Sequence, residues 1–190
     1  MAARVGGGAA AADALGFSAA VLWYGASLQA FGAVGWLGDA SSLGEIRAAF
    51  FCTSIVGASA GYAATRGLPA PLAALGVPVA IAWGGGVFGW WLGDAESEGP
   101  GATGAQVMVV LGLLLAALAF TEGTLRLGRP ARMWWQIGAL GIANVAGVAL
   151  AIGEGGAYEG LLFAYTVGLA VAAVVARQRV AVVFAALTLY

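Results

Sequence analysis

Long apolar segments alternate with short polar connections along this chain. Six of the segments have the length and composition of membrane-spanning helices, each of which needs about 20 predominantly apolar residues. They cover residues 15–37, 48–65, 71–92, 106–125, 133–152 and 161–176. The pattern therefore predicts an all-α integral membrane protein, a bundle of six transmembrane helices within residues 15–176.

Shorter segments flank this predicted membrane domain. Residues 1–14 are rich in glycine and alanine and are expected to form a short cytoplasmic segment with no removable signal peptide. Residues 177–190 contain the apolar run Val180–Tyr190, which is too short to cross a membrane as a helix. We expect this tail to lie in the membrane interface or to pack beside the bundle.

The arginines are unevenly divided between the two sets of connections. Apart from Arg47, they precede the first segment or follow the even-numbered ones, at Arg4, Arg66, Arg126, Arg129, Arg132, Arg177 and Arg179. Because positively charged loops are retained on the cytoplasmic side, this bias predicts that both termini are cytoplasmic. The expected location is the plasma membrane, with membrane lipid around the bundle.

Composition narrows the possible chemistry. Of the 190 residues, 62% are hydrophobic and 9% are charged, whereas soluble domains carry about 25% charged residues. The chain has no histidine, no lysine and a single cysteine, Cys52, which excludes imidazole metal sites, a retinal Schiff base and an internal disulfide. It also offers no nucleophile–base pair and no basic patch for nucleic acid. We therefore expect no enzyme activity, no metal and no cofactor.

The third segment carries features that allow two interpretations. Pro78 and the run Gly84-Gly85-Gly86 are typical of a kinked helix with freed backbone carbonyls, which often marks a substrate site. The same small residues also favour close packing against a neighbouring helix. Gly57 and Gly61 in the second segment support the packing interpretation.

Uncharged polar and aromatic side chains within the segments are the candidates for a solute pathway. Trp23, Tyr24 and Trp83 fall near mid-span, where a ring with a polar tip needs a partner. Asn144, the sole asparagine, and Tyr165 add neutral hydrogen-bonding groups. Such groups suit a small polar or weakly acidic organic solute, although the aromatic rings could equally serve helix packing.

Glu122 is the only carboxylate within the six predicted segments, and carboxylates inside membranes are candidates for proton transfer. It lies one helical turn before Arg126, near the cytoplasmic end of the fourth segment. An ion pair between residues i and i+4 satisfies both charges, so we favour a structural pair over a proton relay.

Short motifs occur at the ends of several segments. The run Gly123-Thr124-Leu125-Arg126 precedes a segment that closes on Ala151-Ile152-Gly153, Leu15-Gly16 opens the first segment, and Ala60-Gly61 lies in the second. In these motifs and in its length the chain resembles the acetate uptake transporters, the succinate–acetate permease group of six-helix membrane proteins. The resemblance implies a pathway for acetate through each protomer and a homo-oligomeric ring such as a hexamer.

The resemblance also places the narrowest part of the path. In that family, aromatic and leucine side chains from the first, third and fifth spans narrow the pore, and the matching positions here are Ala20, Val79 and Ala143. All three are smaller than the family's residues. The Asn-Pro of the family's opening motif is absent, and a family glutamine is replaced by Gly57. These departures imply a wider constriction, so acetate selectivity does not follow from the resemblance alone.

The sequence predicts a transporter or channel for a small monocarboxylate such as acetate, with coupling to a proton as one means of passage. Two alternatives stay open: a urea or amide channel of similar six-helix architecture, and a non-transporting membrane subunit of a larger complex. Sensitivity of flux to pH and to short-chain acids would distinguish the monocarboxylate transporter from the urea or amide channel.

Overall fold

A computed structural model describes residues 3–38, 42–67, 71–93, 101–120, 127–175 and 179–189. Within these ranges the chain forms seven α-helices, one short 3₁₀ helix and no strand. The helices are α1 (Ala3–Ala33), α2 (Leu43–Gly67), α3 (Gly76–Gly93), α4 (Gly101–Phe120), α5 (Arg129–Glu154), α6 (Ala157–Val175) and α7 (Arg179–Leu189), with the 3₁₀ helix (Pro71–Leu75) directly before α3.

Six of these helical segments are long and apolar enough to cross a membrane. The third, Pro71–Gly93, matches its predicted bounds to within one residue, whereas the others begin or end several residues away: α1 starts at Ala3 and its apolar span at Ala10, and α4 starts at Gly101. The all-α fold with six helical segments suited to cross a membrane is therefore confirmed. Large apolar side chains on the outside of the bundle, such as Leu22, Phe163 and Val174, present the surface that lipid would cover.

The centre of the bundle is formed by α3, α4 and α5, which pack through small residues. A Cβ atom placed on Gly89 would lie 2.9 Å from Val107, and one placed on Gly93 would lie 2.5 Å from Thr103. Because the end of α3 contacts the start of α4, these two helices are antiparallel. Close approach of helix backbones at glycine stabilises bundles in membranes through van der Waals packing.

The glycine run in α3 belongs to this packing. The helix continues without interruption from Gly76 to Gly93, and contacts of its glycines with neighbouring helices support the packing interpretation. Gly84 lies against Ser54, Gly85 against Leu111 and Gly86 against Met108. Pro78 does not interrupt the helix because it lies in the first turn, where its missing N–H costs little.

The two ends of the chain pack differently. Helix α1 contacts mainly α2 and the 3₁₀ helix, and 6% of its most apolar window is buried. Helix α7, which covers most of the tail Val180–Tyr190, packs beside the bundle against α5 and α6. Its buried residues are Ala181 and Ala185.

Candidate functional site

A space between the helices, here called cavity A, has a volume of about 350 Å³. It lies where α1 crosses the last part of α2 and the first part of α3. The lining residues are Phe17, Ala20, Val21 and Tyr24 of α1, Gly57 and Gly61 of α2, Ala73 of the 3₁₀ helix, Gly76, Val79, Ala80 and Trp83 of α3, and Ile142 of α5. None of these lining residues is charged.

Small residues create this cavity. Gly57 and Gly61 present no side chain to the cavity; a Cβ on Gly57 would lie 3.1 Å from the Tyr24 ring, and one on Gly61 would lie 2.9 Å from Val77. Ala20 and Ala80 leave further room on the facing helices. The cavity therefore follows from residue size at a helix crossing, and its volume exceeds the roughly 150 Å³ that suffices to hold benzene.

Trp83, which lines cavity A, carries a buried polar atom. Its ring packs edge-on against Phe50, with ring centres 6.3 Å apart. The indole Nε1 is buried and has no hydrogen-bond partner among the described residues. By contrast, the buried Trp135 donates its indole N–H to the carbonyl oxygen of Leu115 at 2.9 Å. Because buried indole N–H groups usually find a partner, the free donor of Trp83 indicates a place for an acceptor atom.

A second space, here called cavity B, has a volume of about 200 Å³ and lies between α4, α5 and α6. Its lining residues are Gln106, Val109 and Val110 of α4, Ala143, Gly147 and Leu150 of α5, and Tyr158, Leu161, Leu162 and Tyr165 of α6. On each helix the later positions lie three, four or seven residues after the first one, so each helix presents one continuous face to the cavity.

The two cavities lie toward opposite ends of the bundle. Cavity A borders the first half of α3 and cavity B the first half of α4, and these helices are antiparallel. Both cavities reach the middle of α5, where Ile142 lines cavity A and its neighbour Ala143 lines cavity B. A Cβ on Gly112 would lie 2.8 Å from Ala143 Cβ and 2.8 Å from the Ala139 carbonyl oxygen, so tight packing of α4 on α5 borders cavity B here.

Comparison with known proteins adds no relative. No family model, curated protein or solved structure matches this chain. The resemblance to acetate uptake transporters therefore stays a prediction.

The structure distributes the predicted pathway residues over both cavities and outside them. Ala20, Tyr24, Val79 and Trp83 line cavity A, whereas Ala143 and Tyr165 line cavity B. Trp23 lines neither, and 62% of its side chain is exposed on the outer face of α1. Asn144 also lines neither; its Oδ1 lies 2.7 Å from the hydroxyl of Thr188 in α7.

The family-motif positions are divided in the same way. Gly61 is buried and lines cavity A, where a Cβ would lie 2.9 Å from Val77. Gly16 is buried, Ala60 is half-buried and Leu15 is exposed, and none of the three lines cavity A or B. The proposed ion pair of Glu122 with Arg126, and the motif residues Gly123, Thr124 and Leu125, lie outside the described residues.

Asp13 is a residue of interest that the sequence reasoning missed. It lies within the apolar span Ala10–Ala33, so Glu122 is not the only carboxylate in a membrane-spanning segment. Its Oδ1 accepts a hydrogen bond of 2.6 Å from the backbone N–H of Leu72 in the 3₁₀ helix. Phe17 of cavity A follows one helical turn later. Extending the first helix before Leu15 would have revealed this carboxylate in the sequence.

Proposed function

We propose that this protein is a membrane transporter or channel that passes a small monocarboxylate such as acetate, with cavity A as its solute-binding site. The observation that carries the proposal concerns Trp83, whose side chain lines a cavity large enough for a small organic solute and whose buried indole N–H has no hydrogen-bond partner among the described residues. A carboxyl oxygen would supply the acceptor that this donor lacks.

The lining of cavity A favours the protonated form of the acid. An ionised carboxylate in an apolar environment is costly unless it is paired, and none of the described residues that line the cavity is cationic. A neutral carboxylic acid avoids this cost, because its carbonyl oxygen accepts from Trp83 and its short alkyl group contacts Val79 and Ile142. Passage of the protonated acid would transfer a proton with each solute molecule.

The remaining parts of the proposal concern placement and assembly. The arginine bias supports a protein of the plasma membrane with both termini in the cytoplasm. In that orientation cavity A lies toward the cytoplasmic side, near the start of α3, and cavity B toward the outside. Assembly as a homo-oligomeric ring is proposed from the resemblance alone.

Uptake of labelled acetate into proteoliposomes tests this function. At a fixed total acetate concentration, we expect saturable uptake that increases as the external pH is lowered, because the protonated fraction then rises. Protein-free liposomes provide the baseline, since neutral acids also cross lipid unaided, and competition by unlabelled propionate provides a check of specificity. A linear, non-competed rate equal to that of the protein-free liposomes, measured with folded and inserted protein, would contradict the proposal.

A further inference from the structure

We infer that cavity B is a second solute-binding site, selective for small uncharged molecules that both donate and accept hydrogen bonds, such as primary amides and protonated carboxylic acids. This inference concerns binding at cavity B. Only the idea that cavities A and B serve the same solute path rests on the proposed function.

Tyr165 supplies the first observation. It lines cavity B, and its hydroxyl oxygen is buried with no hydrogen-bond partner among the described residues. A buried hydroxyl without a partner is costly in an apolar environment, and more so at membrane depth, where water is scarce. Because the Tyr165 side chain borders the cavity, we infer that a molecule bound there reaches this hydroxyl.

Gln106 and Tyr158 supply the second observation. At the other end of the cavity, Gln106 Nε2 donates a hydrogen bond of 2.6 Å to the hydroxyl oxygen of Tyr158, which joins α4 to α6. Both residues line cavity B. The amide of Gln106 and the phenol of Tyr158 thus lie at the end of the cavity near the start of α6. Tyr165 lies seven residues further along the same helix, which corresponds to a rise of about 10 Å along the helix axis at 1.5 Å per residue.

The remaining lining decides the class of ligand. Between the polar ends, cavity B is bordered by aliphatic residues and by Gly147, and none of its described lining residues is charged. Such a lining disfavours ions and suits a neutral molecule with a short alkyl body. The volume of about 200 Å³ exceeds that of a cavity able to hold benzene, so a solute of several heavy atoms fits.

Protection of an introduced cysteine tests this site. In a Cys52→Ala background, Gly147→Cys places a thiol in cavity B; a Cβ there lies 3.3 Å from Leu162, so the change requires only a small adjustment. The purified full-length protein in nanodiscs is labelled with methyl methanethiosulfonate at increasing concentrations of propionamide. Propionamide is uncharged at every pH used, which separates its binding from proton-linked acid uptake.

We expect propionamide to slow labelling of Gly147→Cys in a saturable manner. Adding Tyr165→Phe, which removes only the hydroxyl, should raise the half-protecting concentration about fivefold, the usual effect of losing one hydrogen bond. Ala20→Cys is the matched control, because it reports on cavity A and its labelling should not respond to Tyr165→Phe. Leu150→Cys, also in cavity B, serves as a second reporter if Gly147→Cys does not fold.

Either of two results would overturn the inference: no protection at both cavity B reporters, or protection that Tyr165→Phe leaves unchanged. The outcome is separable from that of the proposed function. Protection at Gly147→Cys without acetate uptake would contradict transport alone, whereas uptake without protection would contradict the cavity B site alone.

Discussion

Single atoms decide how closely α5 lies against the 3₁₀ helix and α3. Gly138 is buried, and a Cβ placed on it would overlap the carbonyl oxygen of Leu75 and lie 3.1 Å from Pro78. Neither obstacle is a flexible side chain that turns away. Gly141, three residues later on α5, meets only the ring of Phe184 at 3.9 Å. These glycines therefore differ in how far each is required for packing.

We predict that Gly138→Ala destabilises the fold by about 1–3 kcal/mol, because the backbone of the 3₁₀ helix must move away from α5. Gly141→Ala is the matched control and should be neutral, since its methyl group meets an ordinary contact. Thermal unfolding of both variants in the same detergent, followed by tryptophan fluorescence, measures the difference. Equal midpoints for the two variants would show that α5 does not approach Leu75 as described.

At the same scale, Asp13 joins α1 to the 3₁₀ helix through its hydrogen bond from Leu72. Replacement by alanine removes the acceptor from the first turn of that helix, and loss of such a cap typically costs about 0.5–2 kcal/mol. Asp13→Asn keeps an acceptor oxygen and should retain most of the stability. If both variants melt like the wild type, the Asp13 carboxylate does not hold α1 in place.

Among the elements, α7 shows how a helix too short to span the bundle is held beside it. The Thr188 hydroxyl lies 2.7 Å from Asn144 Oδ1 and 2.6 Å from the carbonyl oxygen of Phe184, so its single proton is shared between them. Ala181 and Ala185 are buried on the same helix. The asparagine of α5 thus has an architectural partner, and its predicted role as a pathway donor stays untested.

Thr188→Val should loosen α7, because valine matches the shape of threonine without the hydroxyl. Hydrogen bonds between membrane helices contribute about 0.6 kcal/mol on average, which corresponds to a roughly threefold rise in the undocked population. Tryptic cleavage before α7, at Arg177 or Arg179, should accelerate by that factor, whereas Thr188→Ser should behave like the wild type. An unchanged rate of tryptic cleavage for Thr188→Val would show that the Thr188 hydroxyl does not contribute to the docking of α7.

The helices themselves could be predicted from sequence, because runs of apolar residues long enough to cross a membrane are a strong signal. The start of α1 was misplaced because glycine and alanine before Leu15 carry little hydrophobicity. The grouping of Ala20, Tyr24, Val79 and Trp83 at one cavity was not predictable in detail, since it depends on where α1 crosses α2. The Asn144–Thr188 contact joins residues 44 positions apart, beyond any local pattern.

On the scale of the whole molecule, two uncharged cavities approach the middle of α5 from opposite ends. Ile142 and Ala143 mark the place where they come closest along that helix. Packing of α4 on α5 at Gly112 adjoins this place and keeps the two helices in backbone contact.

The proposed orientation yields a prediction of its own. In the Cys52→Ala background, Gly128→Cys lies before α5 and Glu154→Cys at its end, and both positions are exposed. A membrane-impermeant thiol reagent should label Glu154→Cys in intact cells and Gly128→Cys only after permeabilisation, because the arginines beside Gly128 favour the cytoplasmic side. The opposite labelling pattern would show that the orientation is inverted, with cavity A toward the outside and cavity B toward the cytoplasm.

The most direct test of cavity A as the solute site is acetate uptake by Trp83→Phe and Trp23→Phe proteoliposomes, compared with the wild type at one pH. The two variants make the same chemical change, one at the cavity and one on the exposed face of α1. We predict a half-saturating acetate concentration about fivefold higher for Trp83→Phe, from loss of one hydrogen bond, and an unchanged value for Trp23→Phe. Identical saturation curves for Trp83→Phe and the wild type would contradict the account.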